Sequence, residues 1–315
     1  MEIDKNINLG VNLSGVQLQN PIIPASGCFG YGYEMNRFYP IDILGSIALK
    51  GTTLDARYGN PLPRVAESSS GMLNSVGLEN PGINNVIARQ LPPLREVFHQ
   101  PIIANISGFS VEEYVEVCYR ISDQPQVGFI ELNVSCPNVH GGGISFGTDP
   151  TVLGNLVKEV KKVCKVPLIV KLTPNVTDII GMVKVCVDNG ADGVCLVNTF
   201  LGMRIDIKTG KPILANVTGG LSGPAIFPIA LRIVYQVRQQ FPDLPIIGCG
   251  GIMSAEDVVE MLMAGADAVE IGTANLLNPY ACEEIVYELP SLMRKLGLHH
   301  LQNLYKRGKD QQNDE

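Results

Sequence analysis

Cys136 carries the clearest chemical potential in this 315-residue chain. It sits in Asn133-Val134-Ser135-Cys136-Pro137-Asn138-Val139-His140-Gly141-Gly142-Gly143. Pro137 and the glycine run predict a mobile loop there, a setting that none of the other seven cysteines shares. A loop thiol flanked by asparagines and close to lysines can ionise, and its thiolate can act as a base or a nucleophile. His140 is the one histidine near this loop. A hydrolytic Cys–His pair stays open at this level, because the glycines leave the placement of His140 undetermined.

Other reactive types recur just after short apolar runs. Ser26-Gly27, Lys50-Gly51, Asn105, Asn133, Lys171, Asn198-Thr199, Gly250-Gly251 and Gly272-Thr273 each follow such a run. A lysine ending a buried strand needs either an acidic partner, such as Glu131, or an anionic ligand. Acidic residues are scarce at these positions, which favours a positive field for an anionic substrate or an electron-rich cofactor. The glycine pairs in Gly248-Cys249-Gly250-Gly251-Ile252 and Ile271-Gly272-Thr273-Ala274 can turn backbone N–H groups toward a phosphate. Gly219-Gly220-Leu221-Ser222-Gly223-Pro224, just before a helix, offers a third such set.

Eight apolar runs must position these residues. They are Ile22–Ala25, Ile47–Leu49, Ile102–Ala104, Phe129–Leu132, Leu168–Val170, Val194–Val197, Ile246–Gly248 and Ala268–Ile271. Short continuous apolar runs suit a parallel sheet buried on both faces. Amphipathic stretches alternate with them: 111–121 after Ser110, 151–164 after Asp149-Pro150, 178–189 before Gly190, 225–240 before Pro242, and 255–263 before Gly265. Their caps and stops are those of helices. Eight alternations predict an α/β fold, a closed (β/α)8 TIM barrel, whose chemistry gathers at the C-terminal ends of the strands. No G-x-G-x-x-G dinucleotide fingerprint is present, which argues against an open doubly wound sheet.

The alternation is interrupted at 51–80 and 198–222, the second predicting a hairpin that turns at Thr209-Gly210. These are inserted loops at the C-terminal face. An N-terminal hairpin of Ile7–Leu9 with Val16–Leu18 around Ser14-Gly15 is expected to close the bottom, and the polar tail from Lys306 to Glu315 to fray. The whole of 1–315 reads as a single domain.

Composition narrows the function. Apolar residues make up 45% and charged residues 17%, so the chain should fold. A net charge of −7 without a basic block gives nucleic acid no electrostatic footprint. No signal peptide and no run of 18 apolar residues is visible. The cysteines include no C-x-x-C pair and no local iron–sulfur or zinc ligand set, so a reduced, cytoplasmic, metal-free chain is expected.

Jointly, Asn133-Val134-Ser135-Cys136-Pro137-Asn138, Val170-Lys171-Leu172-Thr173-Pro174-Asn175, Val197-Asn198-Thr199, Gly219-Gly220-Leu221-Ser222-Gly223-Pro224 and Gly248-Cys249-Gly250-Gly251-Ile252 resemble class 1 dihydroorotate dehydrogenase. The resemblance runs from about Leu9 to Met293. The glycine run after Cys136 and Leu221–Ile226 resemble type 1B, the catalytic subunit of the NAD-linked enzyme. Phe227 departs from the lysine expected there.

The resemblance implies an FMN-binding barrel, a flavoprotein of pyrimidine biosynthesis that oxidises (S)-dihydroorotate to orotate. Cys136 would take the C5 proton while hydride leaves C6 for the flavin. It implies FMN contacts at Ser26, Lys50, Gly51, Asn105, Asn133, Lys171, Val197, Gly223, Gly250, Gly251, Gly272 and Thr273. Substrate contacts would be Lys50, Asn74, Ser75, Val76, Gly77, Leu78, Asn133, Asn198 and Thr199. Type 1B further implies a partner subunit carrying FAD and a [2Fe–2S] cluster, two copies of each subunit forming a heterotetramer. The neighbouring possibilities are a fumarate-linked type 1A enzyme, a dihydropyrimidine dehydrogenase unit and a non-redox phosphate-binding barrel.

Overall fold

A computed structural model describes residues 7–135, 137–138, 144–301 and 304. Cys136, His140 and the tail 306–315 lie outside the described residues. The strands begin with β1 (Val11–Leu13), β2 (Val16–Leu18), β3 (Ile22–Pro24), β4 (Val65–Ser68), β5 (Gly71–Asn74), β6 (Ile102–Ile106), β7 (Val127–Asn133), β8 (Pro137–Asn138) and β9 (Ile144–Ser145). They continue with β10 (Leu168–Lys171), β11 (Gly193–Leu196), β12 (Phe200–Gly202), β13 (Ile205–Asp206), β14 (Lys211–Pro212), β15 (Gly219–Ser222), β16 (Ile246–Cys249) and β17 (Ala268–Ile271).

Seven strands form one parallel sheet in the order β3-β17-β16-β11-β10-β7-β6. The eighth apolar run, 47–49, is not a regular strand but fills the gap between the sheet's two edges. On one side Ala48 N donates to Pro24 O at 3.1 Å, and on the other Leu49 N donates to Ile103 O at 2.9 Å. Those bonds close the wall and remove both edges, as an α/β barrel requires. Every residue of β6, β10, β11, β16 and β17 is buried. That burial on both faces explains why these strands read as continuous apolar runs.

The principal helices are α1 (Val111–Ile121), α2 (Pro150–Val163), α3 (Ile179–Asp188), α4 (Phe227–Gln240), α5 (Ala255–Ala264) and α6 (Ala281–Lys295). Their starts are chemically specified. Ser110 Oγ accepts from Glu113 N, Asp149 from Thr151 N and Val152 N, and Asp178 from Gly181 N. Ser254 and Asp257 form a reciprocal capping box, and Gly265 ends α5 in the left-handed conformation. A single helical turn, Ala274–Leu277, follows β17.

The N-terminal hairpin is present, but its first arm is Val11–Leu13, not Ile7–Leu9. Ser14 and Gly15, at φ of 47° and 88°, make a two-residue turn that pairs Leu13 directly with Val16. The first arm must therefore run up to Ser14. Asn8 instead bridges His300. Ser14 Oγ reaches Asp192 O, just before β11, so the hairpin lies at the N-terminal ends of the strands.

The two inserted regions pair with each other. β4 and β5 from the first and β12 and β15 from the second form a four-stranded antiparallel sheet in the order β12-β15-β5-β4. The turn at Thr209-Gly210 joins β13 to β14, with Asp206 opposite Lys211.

Gly193 at the start of β11 shows how tightly the wall packs. A methyl group there would lie 2.8 Å from both Ile169 Cδ1 and Pro245 O. Gly193→Ala is expected to cost about 1–3 kcal/mol through overpacking, read as a lowered denaturant midpoint. An unchanged midpoint would contradict this packing.

Candidate active site

The strand ends converge on one mouth, and they divide by chemistry into an amide corner, a charged floor and a glycine cradle. Asn133 ends β7 and Asn198 follows β11. Asn198 Nδ2 donates to Asn133 Oδ1 at 3.2 Å and to Ser135 Oγ at 2.9 Å. Tyr114 OH on α1 donates to Asn133 O at 2.6 Å. Thr199 N donates to Asn198 Oδ1 at 2.8 Å. Each asparagine thus has its acceptor oxygen engaged by the protein. Asn133 itself is half-buried in this corner. Val197 lies beneath it, buried, its N–H on Cys249 O at 2.7 Å.

Residues 74–78 border this corner. Asn74 pairs with Gly220 on one side and Val65 on the other, so the inserted sheet sets its position. Asn60 N and Nδ2 then hold Val76 O and Ser75 O, each at 2.9 Å. Gly77 and Leu78 adopt φ of 78° and 58°. A methyl at Gly77 would strike Asn60, which requires glycine there. Leu78 Cδ2 lies 3.7 Å from where a Cβ at Gly51 would stand, which brings 74–78 to the end of the 47–49 run. Lys50 next to it also lines a cleft of about 390 Å³ with Tyr31, Arg57, Tyr58 and Glu79. Burial pushes its ammonium down from the usual lysine value, and Glu79 opposes the shift.

The floor holds a charge cluster. Lys171, 5% exposed, ends β10. Its Nζ contacts Glu131 Oε1 at 3.3 Å and Glu270 Oε2 at 2.5 Å, and both glutamates are fully buried. Glu131 comes from the adjacent strand β7; Glu270 comes from β17, beyond β11 and β16. Asn105 of β6 donates Nδ2 to Glu131 Oε1 at 2.5 Å, and its buried Oδ1 has no partner among the described residues. A side chain at Gly51 would come within 2.9 Å of that oxygen. The expected unpaired positive field therefore needs correction at Lys171. Its charge is balanced from inside the barrel, by acidic residues one position before the ends of their runs. Glu131 enters the sequence reading only as a salt-bridge option for Lys171, and Glu270 not at all, because each sits within an apolar run.

The glycine cradle joins three loops. Thr273 Oγ1 donates to Ser222 Oγ at 2.9 Å, tying the end of β17 to the end of β15. Gly223, Gly250 and Gly251 have φ of 102°, 131° and 76°. Added Cβ atoms would lie 2.8 Å from Gly71 Cα, 2.9 Å from Ala230 Cβ and 2.6 Å from Phe227 N, respectively. A Cβ at Gly272 would make only ordinary contacts, with Cys28 Sγ at 3.7 Å and Ala25 Cβ at 3.8 Å. Such positive-φ backbone beside a helix start suits an anion. Phe227 begins α4 against Gly251 and packs its ring on the core. Ser26 follows β3, half-buried, and Ala25 N bonds Ile271 O at 2.8 Å beside the cradle.

The described cysteines are free thiols. Burial pushes Cys28 up to about 11, and Cys186 and Cys282 each up to about 12, so none of these three is a thiolate at neutral pH. Among the described residues no helix is long and apolar enough to cross a membrane.

A family model described as dihydroorotate dehydrogenase matches residues 8–293. The dihydroorotate dehydrogenase B (NAD(+)) catalytic subunit of Anoxybacillus flavithermus is 58% identical over 293 residues, 93% of each chain. The same-named subunit of Geobacillus kaustophilus is 56% identical over 93% of each chain. That of Enterococcus faecalis is 55% identical over 95% of each.

Removing the Lys171 ammonium would leave two buried carboxyls without their cation. Lys171→Met is expected to lower stability by about 3–5 kcal/mol, measured by denaturant unfolding. Wild-type stability in that variant would contradict the pairing.

Proposed function

The chain belongs to the dihydroorotate dehydrogenase family, and on that footing we propose that it is an FMN-dependent catalytic subunit. It oxidises (S)-dihydroorotate to orotate in pyrimidine biosynthesis. The observation that carries this reading is the mouth itself. An amide corner, a buried acceptor on Asn105 with no partner among the described residues and a glycine cradle lie around one opening, at the positions the family's motifs occupy.

The residues fit an FMN. Gly223, Gly250, Gly251, Gly272 and Thr273 offer backbone for its phosphate. Asn105 Oδ1 offers an acceptor for a ring N–H, with Gly51 leaving room for close approach. Ser26, Lys50, Val197 and Asn133 complete the contacts. Lys171 places a cation where electron density gathers at the pyrimidine end of the ring. The flavin, when bound, supplies the hydride acceptor.

Substrate recognition falls to Asn133, Asn198, Thr199, Lys50 and residues Asn74 to Leu78. Orotate is a flat anion with an imide edge, and asparagines with fixed orientation match donor to carbonyl and acceptor to N–H. Lys50, its ammonium half-buried, pairs with the carboxylate. Cys136, in the segment directly after the amide corner, removes the C5 proton.

Electrons pass to NAD through a partner subunit carrying FAD and a [2Fe–2S] cluster, as two copies of each subunit. The relatives' designation as catalytic subunits supports a separate partner. The lack of a dinucleotide fingerprint in this sequence accords with it.

Cys136→Ala is expected to keep FMN and lose roughly 10²–10⁴-fold in turnover, measured with (S)-dihydroorotate and an artificial acceptor. Near-normal turnover would remove Cys136 from its role as base. NAD reduction is expected only when the electron-transfer partner is added; NAD reduction by the isolated chain would contradict the two-subunit reading.

A further inference from the structure

The charge cluster on the barrel floor contains more acid than it can ionise. One ammonium, Lys171, meets two carboxyls, Glu131 and Glu270, and all three are buried. Were both glutamates ionised, one negative charge would stand uncompensated in the interior, where an unpaired charge is strongly disfavoured. The hydrogen-bond pattern makes the same point independently. Lys171 and Asn105 satisfy Glu131 Oε1, and Lys171 satisfies Glu270 Oε2. Glu131 Oε2 and Glu270 Oε1 are buried with no donor among the described residues. Both carboxyls nevertheless close on the same ammonium, Lys171 Nζ, at 3.3 and 2.5 Å, which brings the two groups together. Two carboxylates cannot donate to one another, whereas an acid and a carboxylate can.

We propose that Glu270 is held as the neutral acid, sharing its proton with Glu131, and that this acid–carboxylate pair is the positioning unit that keeps Lys171 cationic beneath the cofactor mouth.

The surroundings agree on which glutamate keeps the proton. Burial and the neighbouring Glu131 push Glu270 well above the usual carboxyl range, against Lys171. Burial also disfavours charge on Glu131, but Lys171 and hydrogen bonds from Glu270 and Asn105 outweigh it and hold it low. Burial disfavours the Lys171 cation, and the two glutamates outweigh it. The other groups facing the cluster are Cys195 on β11 and Cys249 on β16, with Cys28 after β3. Cys195, Cys249 and Glu270 present ligand atoms within 4.8 Å of one another. The cation beside them is Lys171's own, which already occupies Glu270 Oε2.

The pair leaves the cluster with no net charge. A second ionised glutamate would make it negative and oppose the arrival of electrons on a flavin above. The link to the flavin rests on the function proposed above; the shared proton does not. In this role Glu270 and Glu131 act through Lys171 and never touch the substrate.

Infrared spectroscopy of the purified chain reads the proton directly, with or without bound flavin. The wild type is expected to show the C=O stretch of a buried carboxylic acid at pH 8. Glu270→Gln should abolish it. Glu131→Gln should abolish it as well, because Glu270, left alone with Lys171, then ionises; a purely structural role for either residue predicts no such double loss. A wild-type spectrum without an acid band overturns the proposal with no variant needed, and so does a band that survives in Glu270→Gln. The flavin reduction potential supplies the second readout. Glu270→Gln replaces a neutral acid by a neutral amide and should leave the potential unchanged. A marked positive shift would mean that a negative charge had been removed, and would overturn the neutral assignment. A colourless chain that shows the acid band and its double loss would keep this inference while refuting the flavin reading.

Discussion

An ammonium buried inside a parallel barrel is tolerable only if the barrel brings its counter-charges to it. Lys171 meets that condition with one glutamate from the neighbouring strand and one from across the interior. The arrangement requires β7, β10 and β17 to hold their relative heights, since a slip of one residue would turn a glutamate out of the interior. The Ala48 and Leu49 bonds that close the wall make that geometry possible. β6, β7 and β11 of the same wall then present Asn105, Asn133 and Asn198 at their upper ends. The charged floor and the amide corner are therefore consequences of one register.

The loops above the strands obey a different constraint, that of close backbone approach. Gly223, Gly250 and Gly251 lie where a side chain would collide with neighbouring backbone or core, while a Cβ at Gly272 would meet only ordinary contacts. The inserted sheet completes the mouth, because β5 delivers Asn74 and β15 delivers Ser222 from regions about 150 residues apart in sequence. Rigid strands hold the residues that must not move, and the cysteine proposed as base belongs to the connecting segment beyond the strand.

Much of this architecture was legible in the residues. Capping side chains at Ser110 and Asp149 mark helix starts by direct hydrogen bonds, and fully buried strands betray themselves as apolar runs. Local chemistry of that kind is written locally. The four-stranded sheet was not legible, since its pairing joins two insertions with no shared periodicity. Residues 281–295 went unread as a helix because Pro290 breaks the pattern, though the structure runs α6 through it. Glu270 was overlooked because a single acid within Ala268–Ile271 gives no sign of the lysine it meets across the barrel. The strand-end asparagines and glycines were found because a barrel assigns them one place; their hydrogen bonds needed coordinates.

The account turns on whether the mouth binds a flavin that dihydroorotate reduces. Anaerobic mixing of the purified chain with (S)-dihydroorotate, followed in the visible flavin band, tests this in a single step. Rapid bleaching is the predicted result, since it requires cofactor, substrate and hydride transfer at once. A yellow protein whose band persists after saturating dihydroorotate would contradict the substrate assignment, and a colourless protein that cannot take up FMN would contradict the site itself.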